Sequence, residues 1–172
     1  TDDGEISKYA AVLSDVTQRM EDEERIRYQA SYDSLTGLPN RALFLDRLNQ
    51  AIASTRRLNH KMGLIFIDLD GFKLINDSLG HDIGDLLLKE AAARLQKSIR
   101  DSDTVARLGG DEFTVIMPNL EDPRLIQVVA QRILDALSKT FLLAGQESFI
   151  SGSLGITVFP DDAQSVSNLL KN

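Results

Sequence analysis

Arg107-Leu-Gly-Gly-Asp-Glu-Phe113 lies between two apolar runs, Thr104-Val-Ala106 and Phe113-Thr-Val-Ile-Met117. Flanks of this kind predict two strands joined by a tight turn. Gly109 and Gly110 supply the positive φ such a turn needs, and they leave room for a ligand to approach the backbone. Two adjacent carboxylates follow, Asp111 and Glu112. Read alone, they are solvated turn residues, because turns attract Asp and Gly for conformational reasons.

A second acidic pair changes that reading. Gly63-Leu-Ile-Phe-Ile67 is a continuous apolar run, as expected for a central strand covered on both faces. It ends in Asp68-Leu-Asp70, and a period of two puts Asp68 and Asp70 on one face. If this strand pairs beside the hairpin, Asp68 comes close to Asp111 and Glu112. Carboxylates gathered this way repel one another unless a cation binds. Hard oxygen donors at a strand end suit Mg2+, which retains waters and bridges to substrate phosphates.

The stretch from Asp68 to Asp85 extends the pattern. Gly71, Phe72 and Lys73 stand at a strand-to-helix junction, where free amides favour an anion. Asn76 can donate and accept, and Asp85 can take two N–H bonds from a guanine edge. Taken singly, Asn76, Asp77 and Asp85 also fit as helix-end residues. His81 fits a structural hydrogen bond better than a metal site, since no second His lies nearby in sequence.

The rest of the chain sets bounds. With 172 residues it can hold one domain with a full core plus an attached segment. A net charge of −7 argues against binding a nucleic-acid polymer. The absence of cysteine excludes a disulfide scaffold or thiolate metal site. No apolar run approaches a membrane span and no secretory segment opens the chain, so a cytoplasmic placement is expected, with any anchor outside this stretch. Residues 5–14 read as a strand. Residues 18–32 read as a polar connector helix, its acidic face at Glu21-Asp-Glu-Glu24 solvated. Asn40 caps a helix carrying Phe44, Leu48, Ala51 and Ile52; short and long helices follow over 72–79 and 83–99, and another starts at Pro123. Phe141-Leu-Leu143 and Phe149–Phe159 are expected to pair around Ala144-Gly-Gln-Glu147. The order from residue 41 implies helices packed on a sheet that is largely antiparallel around the hairpin. The chain is expected to be a piece of something longer, with a further helix beginning near Val166.

Gly109-Gly-Asp-Glu-Phe113 resembles the signature of the GGDEF diguanylate cyclase family. Asp33-Ser-Leu-Thr-Gly-Leu-Pro-Asn-Arg41, Asp68 through Asp85 and Ser153-Leu-Gly-Ile156 resemble its other blocks in the same order, over roughly 33–172. The resemblance implies an α+β, palm-like fold with a ferredoxin-like core, a mixed sheet and a central β-hairpin, as in nucleotidyl cyclases. It implies condensation of two GTP into cyclic di-GMP and two pyrophosphates across a homodimer. Asp68, the Leu69 carbonyl and Asp111 would bind Mg2+, with Mn2+ as an alternative. Asp111 or Glu112 would assist loss of the 3′-hydroxyl proton. Asn76 and Asp85 would read guanine, and His81 would be a further substrate-binding residue. Gly71, Phe72 and Lys73 would hold phosphates, and Gly109 and Gly110 would let the nucleotide approach. Arg100 and Asp103, in Arg100-Asp-Ser-Asp103, would form a product-inhibition site; the plain alternative is a charged loop that ends a helix.

Residues 1–17 resemble the last strand of a PAS sensor and the junction after it, and 18–32 would carry its signal. The motif wording is similar to GGDEF domains that precede an EAL phosphodiesterase. The family continues past the equivalent of Asn172 with a helix and a Lys and an Arg that grip phosphates. This stretch alone is therefore expected to bind GTP weakly or not turn over. The competing expectations are a catalytically silent nucleotide- or cyclic di-GMP-binding module that controls an adjacent EAL domain, and a dimerising scaffold.

Overall fold

The computed structural model describes residues 18–162 except 24 and 27. The sensor-like strand and junction, and the helical start near Val166, lie outside the described residues. Within them the order is α1 (18–31), α2 (Arg41–Leu58), β1 (Lys61–Asp70), α3 (Phe72–Leu79), α4 (His81–Lys97), β2 (Thr104–Gly109), β3 (Glu112–Leu120), α5 (Arg124–Leu137), β4 (Phe141–Leu143), β5 (Gln146–Ser148) and β6 (Ser151–Phe159).

The main sheet runs β2-β3-β1-β6, with every pairing antiparallel. Two helical crossovers, α3–α4 between β1 and β2 and α5 between β3 and β6, make this the split βαβ arrangement of a ferredoxin-like fold. The unbroken apolar run in β1 has a physical cause. Ile65, Ile67 and Leu69 enter one core with α4 and α5, while Met62, Leu64 and Phe66 enter a second core with Phe44, Leu48 and Ile52 of α2. A strand covered on both faces loses its alternation. Asp68 continues the α2-side face and is exposed.

Asn40 caps α2 as its side chain suggests, its Oδ1 accepting from the amides of Ala42 and Leu43 at 3.0 and 3.1 Å. Helix α4 begins at His81, two residues earlier than its apolar pattern indicates, because Gly80 ends α3 and opens α4 at once. Arg94 of α4 holds the end of α5: its guanidinium donates to the carbonyls of Ala136, Lys139 and Thr140 at 2.7–3.0 Å and lies 3.6 Å over the Phe141 ring. Cationic donors on the carbonyls at a helix C-terminus are stabilising.

The expected pairing of 141–143 with 149–159 is corrected. Phe141–Leu143 pairs with Gln146–Ser148 in a separate two-stranded sheet, and β6 pairs with β1 instead. The turn closes sooner than expected because Ala144 and Gly145 both take positive φ, 48° and 85°.

Candidate active site

Strand register gathers the carboxylates. In the antiparallel pairing Asp68 is the partner of Glu112 on β3 and of Ser153 on β6. Directly opposed residues are about 5 Å apart at Cα. The turn before Glu112 uses Gly109 and Gly110 at φ 148° and 53°, and Asp111 sits within it. A cleft of about 510 Å3 opens beside Asp68 and Glu112, with Arg41 of α2 and Ser153 on its walls. That volume suits a small ligand.

The Asp68 carboxyl is pushed above its ordinary value, first by desolvation and then by the charges of Asp111, Asp70 and Glu112 in that order. Asp68 is nevertheless exposed, so the repulsion is the part a cation would relieve. Among the described residues no three His, Asp or Glu side chains are set to hold a metal unaided. A cation that keeps waters and takes phosphate oxygens needs only one or two carboxylates. Asp68 and Asp111 could supply these, and Leu69, whose side chain is buried in the core, could offer only its carbonyl. The donor set is all hard oxygen and carries unrelieved negative charge, which fits Mg2+.

Repulsion at Asp68 has a consequence for stability. A carboxyl raised on folding penalises the fold once it ionises; the penalty is complete above the folded value and absent below the unfolded one, 3.8. Asp68→Asn is therefore expected to raise the neutral-pH stability of the metal-free protein, by no more than about 0.5 kcal/mol because the group is screened by solvent. Thermal melting at pH 7 and pH 3 checks this: the gain should be present at pH 7 and gone at pH 3.

Asp70 does a different job from its neighbour. The Ser151 and Ser153 hydroxyls donate to its carboxylate at 2.7 and 2.8 Å. These bonds hold it below its ordinary value. It anchors β6 to the end of β1, leaving Asp68 the freer of the pair.

Two residues that sequence patterns missed hold the turn in place. Arg107 Nε and one terminal nitrogen donate to the Gly110 carbonyl at 3.0 and 2.8 Å, and the other terminal nitrogen donates to both Asp33 oxygens at 2.9 and 3.0 Å. Its amide also donates to the Pro39 carbonyl at 3.0 Å. Burial pushes Asp33 up, but hydrogen bonds from Thr36 and Arg107 outweigh it and hold the carboxyl below its ordinary value. The Asp33–Asn40 turn is thus a buttress behind the hairpin. It is joined to α1 through the Tyr32–Pro39 bridge and the Asn40 side chain, whose Nδ2 donates to the Ala30 carbonyl at 3.0 Å. The available signals were the Asp opening a Gly-Pro turn and the Arg just before the paired glycines.

The remaining predicted residues fall into two groups. Gly71, Phe72 and Lys73 form the start of α3, whose first intrahelical acceptor, the Gly71 carbonyl, is used only by Ile75. The amides of Phe72 and Lys73 are therefore free of the helix ladder. Asn76 on α3 packs against Gly84 on α4, the residue before Asp85, so the structure brings Asn76 and Asp85 to neighbouring positions. His81 and Asp85 are exposed one turn apart on α4. Arg100 and Asp103 lie apart from all of these, in the turn before β2. There the Arg100 amide donates to Asp103 at 3.2 Å and its guanidinium at 3.4 Å, with the Asp103 side chain fully buried and that of Arg100 half exposed.

Known proteins share this fold. The family model described as "Diguanylate cyclase, GGDEF domain" matches residues 30–172. The chain is 43% identical over 143 residues to the bifunctional diguanylate cyclase/cyclic di-GMP phosphodiesterase MucR of Pseudomonas aeruginosa, covering 83% of this chain and 21% of that protein. It therefore spans about a fifth of that relative's length. The GGDEF domain of TpbB (YfiN) from Pseudomonas aeruginosa superposes with a TM-score of 0.79 at 39% identity, covering 81% of this chain and 82% of that one. The coiled coil and GGDEF domain of DgcB from Caulobacter crescentus, in complex with c-di-GMP, gives a TM-score of 0.82 at 26% identity over 95% of this chain and 87% of that one. A hairpin and strand end that gather carboxylates in a ferredoxin-like sheet, and a family match spanning nearly all of the described residues, lead to one assignment: the chain belongs to the GGDEF domain family.

Proposed function

We propose that the full-length protein is a diguanylate cyclase that condenses two GTP into cyclic di-GMP and two pyrophosphates. The observation that carries this reading is the strand register that sets Asp68 opposite Glu112 at the hairpin of a GGDEF-family domain, gathering carboxylates that a cation would neutralise. The free amides at the start of α3 take the β- and γ-phosphates, while Asn76 and Asp85, with His81 alongside, take the guanine. Asp111 or Glu112 accepts the proton as the 3′-oxygen of one nucleotide bonds to the α-phosphorus of the other and pyrophosphate leaves. Asp68, Asp111 and the Leu69 carbonyl would hold Mg2+, which when bound would supply charge neutralisation and a lowered pKa for the attacking hydroxyl. One domain holds one GTP, so two copies must face each other, and whatever sets their geometry sets the rate. The product site centres on Arg100, whose guanidinium is exposed enough to clasp guanine or phosphate while the buried Asp103 carboxylate orients it, and a GGDEF domain resembling this chain carries c-di-GMP in its crystal structure.

The bifunctional name of the MucR relative favours a phosphodiesterase domain elsewhere in the full-length chain, in which case the GGDEF domain also tunes its neighbour. Incubation of the full-length protein with GTP and Mg2+, with products separated by chromatography, tests the main reading. Cyclic di-GMP should accumulate at a rate rising faster than linearly with protein concentration. No product across a range of concentrations, together with GTP-stimulated hydrolysis of cyclic di-GMP, would replace synthesis by the regulatory role.

A further inference from the structure

Asn76 carries an unusual environment for a residue that must meet a nucleotide. Its Oδ1 is buried without a hydrogen-bond partner, although the residue as a whole is only half-buried. Buried acceptors are seldom left so, because each forfeits its hydrogen bonds to water. The cause lies across the helix pair. An ideal Cβ on Gly84 would stand 1.8 Å from Asn76 Oδ1 and 2.9 Å from its Cγ, and 3.4 Å from the Phe72 ring. The Asn76 amide therefore occupies the space that any side chain at position 84 would fill.

Gly84 is not needed for backbone reasons. It lies inside α4, where its conformation is helical and where alanine is the better helix former. It is buried, with Leu87 and Leu88 following on the same helix, so α4 gains nothing for its own packing from a missing Cβ. What the missing Cβ provides is a seat for one amide. With Oδ1 turned into that seat, the amino end of Asn76 is the part left to meet a ligand, one residue along from the Asp85 carboxylate.

We infer that Gly84 is a specificity-determining positioning residue: it admits the Asn76 amide to α4 in the orientation that, with Asp85, selects guanine over adenine. The inference rests on the proposed role of Asn76 in reading the base. A donor from Asn76 and an acceptor from Asp85 match the O6 acceptor and the N1 and N2 donors of guanine. Adenine presents a donor at N6 and an acceptor at N1, the reverse of guanine at both, and no polar group at C2. A methyl group at position 84 displaces the amide and breaks the donor half of that match.

The test is calorimetric binding of non-hydrolysable GTP and ATP analogues, with Mg2+, to the full-length protein and its Gly84→Ala, Asn76→Ala and double variants. Gly84→Ala should weaken the GTP analogue by roughly tenfold or more while leaving the ATP analogue within about twofold, a loss of selectivity that a general loosening would not produce. In the Asn76→Ala background the same substitution should change affinity less than about twofold, because the side chain it displaces is gone. The melting temperature of Gly84→Ala should equal or exceed the parent's. If it falls, recovery in the double variant identifies collision with Asn76 as the cause and supports the inference; no recovery overturns it. Unchanged GTP affinity in Gly84→Ala alongside weakened affinity in Asn76→Ala overturns the role of Gly84 alone. Unchanged affinity in Asn76→Ala overturns the base-reading role and the inference with it.

Discussion

Asp111→Ala in the full-length protein is expected to lower cyclic di-GMP synthesis by at least about 10^3-fold, the scale of losing a group that acts on charge in the transition state. The proposed roles of Asp111 converge here: it is a ligand for the cation and a candidate acceptor for the 3′-hydroxyl proton. Its removal also lifts the largest charge repulsion on Asp68, so that carboxyl should move back toward its ordinary value. The fold should survive, because Asp111 lies in a turn whose shape is set by Gly109, Gly110 and the Arg107 bonds to the Gly110 carbonyl. Product formation against a circular-dichroism melt checks both halves. A folded Asp111→Ala protein that still made cyclic di-GMP at a tenth of the parent rate would remove Asp111 from the chemistry.

Arg107→Ala should be nearly as damaging by another route. The Asp33–Arg107 pair is largely shielded, with side-chain exposures of 22% and 11%. Removing Arg107 leaves Asp33 without its counter-ion and held only by its hydrogen bonds from Thr36, which costs about 1–2 kcal/mol at a partly buried site. The Gly110 carbonyl loses its two donors in the same step. Activity should fall about 10^2-fold even at temperatures where the variant remains folded, because a small displacement of the hairpin misaligns the reacting groups. The pH dependence follows from the depressed Asp33 carboxyl. In the parent the pair's contribution is complete above the unfolded value, 3.8, and fades as pH falls through the lower folded value. The variant should lose the Arg107 share of that acid-sensitive stability, so its deficit relative to the parent should shrink below pH 3. Urea melts at pH 7 and pH 2.5, with activity at 15 °C, provide the comparison. A variant as stable as the parent would mean that the buttress carries no weight.

Local chemistry made the hairpin, β1 and the amphipathic helices legible. Paired glycines between strand formers, a run of five apolar residues and the spacing of Leu87, Leu88, Ala92 and Leu95 each express one dominant physical demand. The period of two places Asp68 and Asp70 on one face of β1, and the strand pairing beside the hairpin sets Asp68 opposite Glu112 as expected. The last strands were misjudged because Phe141, Leu142 and Leu143 read as one apolar run. In the fold only Phe141 and Leu143 are buried, and a two-residue turn follows at once. Phe149, counted as the start of a long strand, is 68% exposed and lies between β5 and β6. The contacts of Arg107 with Asp33, of Asp70 with Ser151 and Ser153, and of Asn76 with Gly84 join separate elements, and no local period announces them. These contacts orient the site, whereas the signature residues only supply its chemistry.

Binding of a non-hydrolysable GTP analogue to the full-length protein, measured by calorimetry with Mg2+ and with EDTA, bears most directly on whether crowded carboxylates at the end of β1 and in the hairpin hold a cation for a triphosphate. Affinity should be at least about tenfold greater with Mg2+, and Asp68→Asn should abolish that difference. Equal affinity in Mg2+ and EDTA, or a Mg2+ effect undiminished in Asp68→Asn, would contradict it.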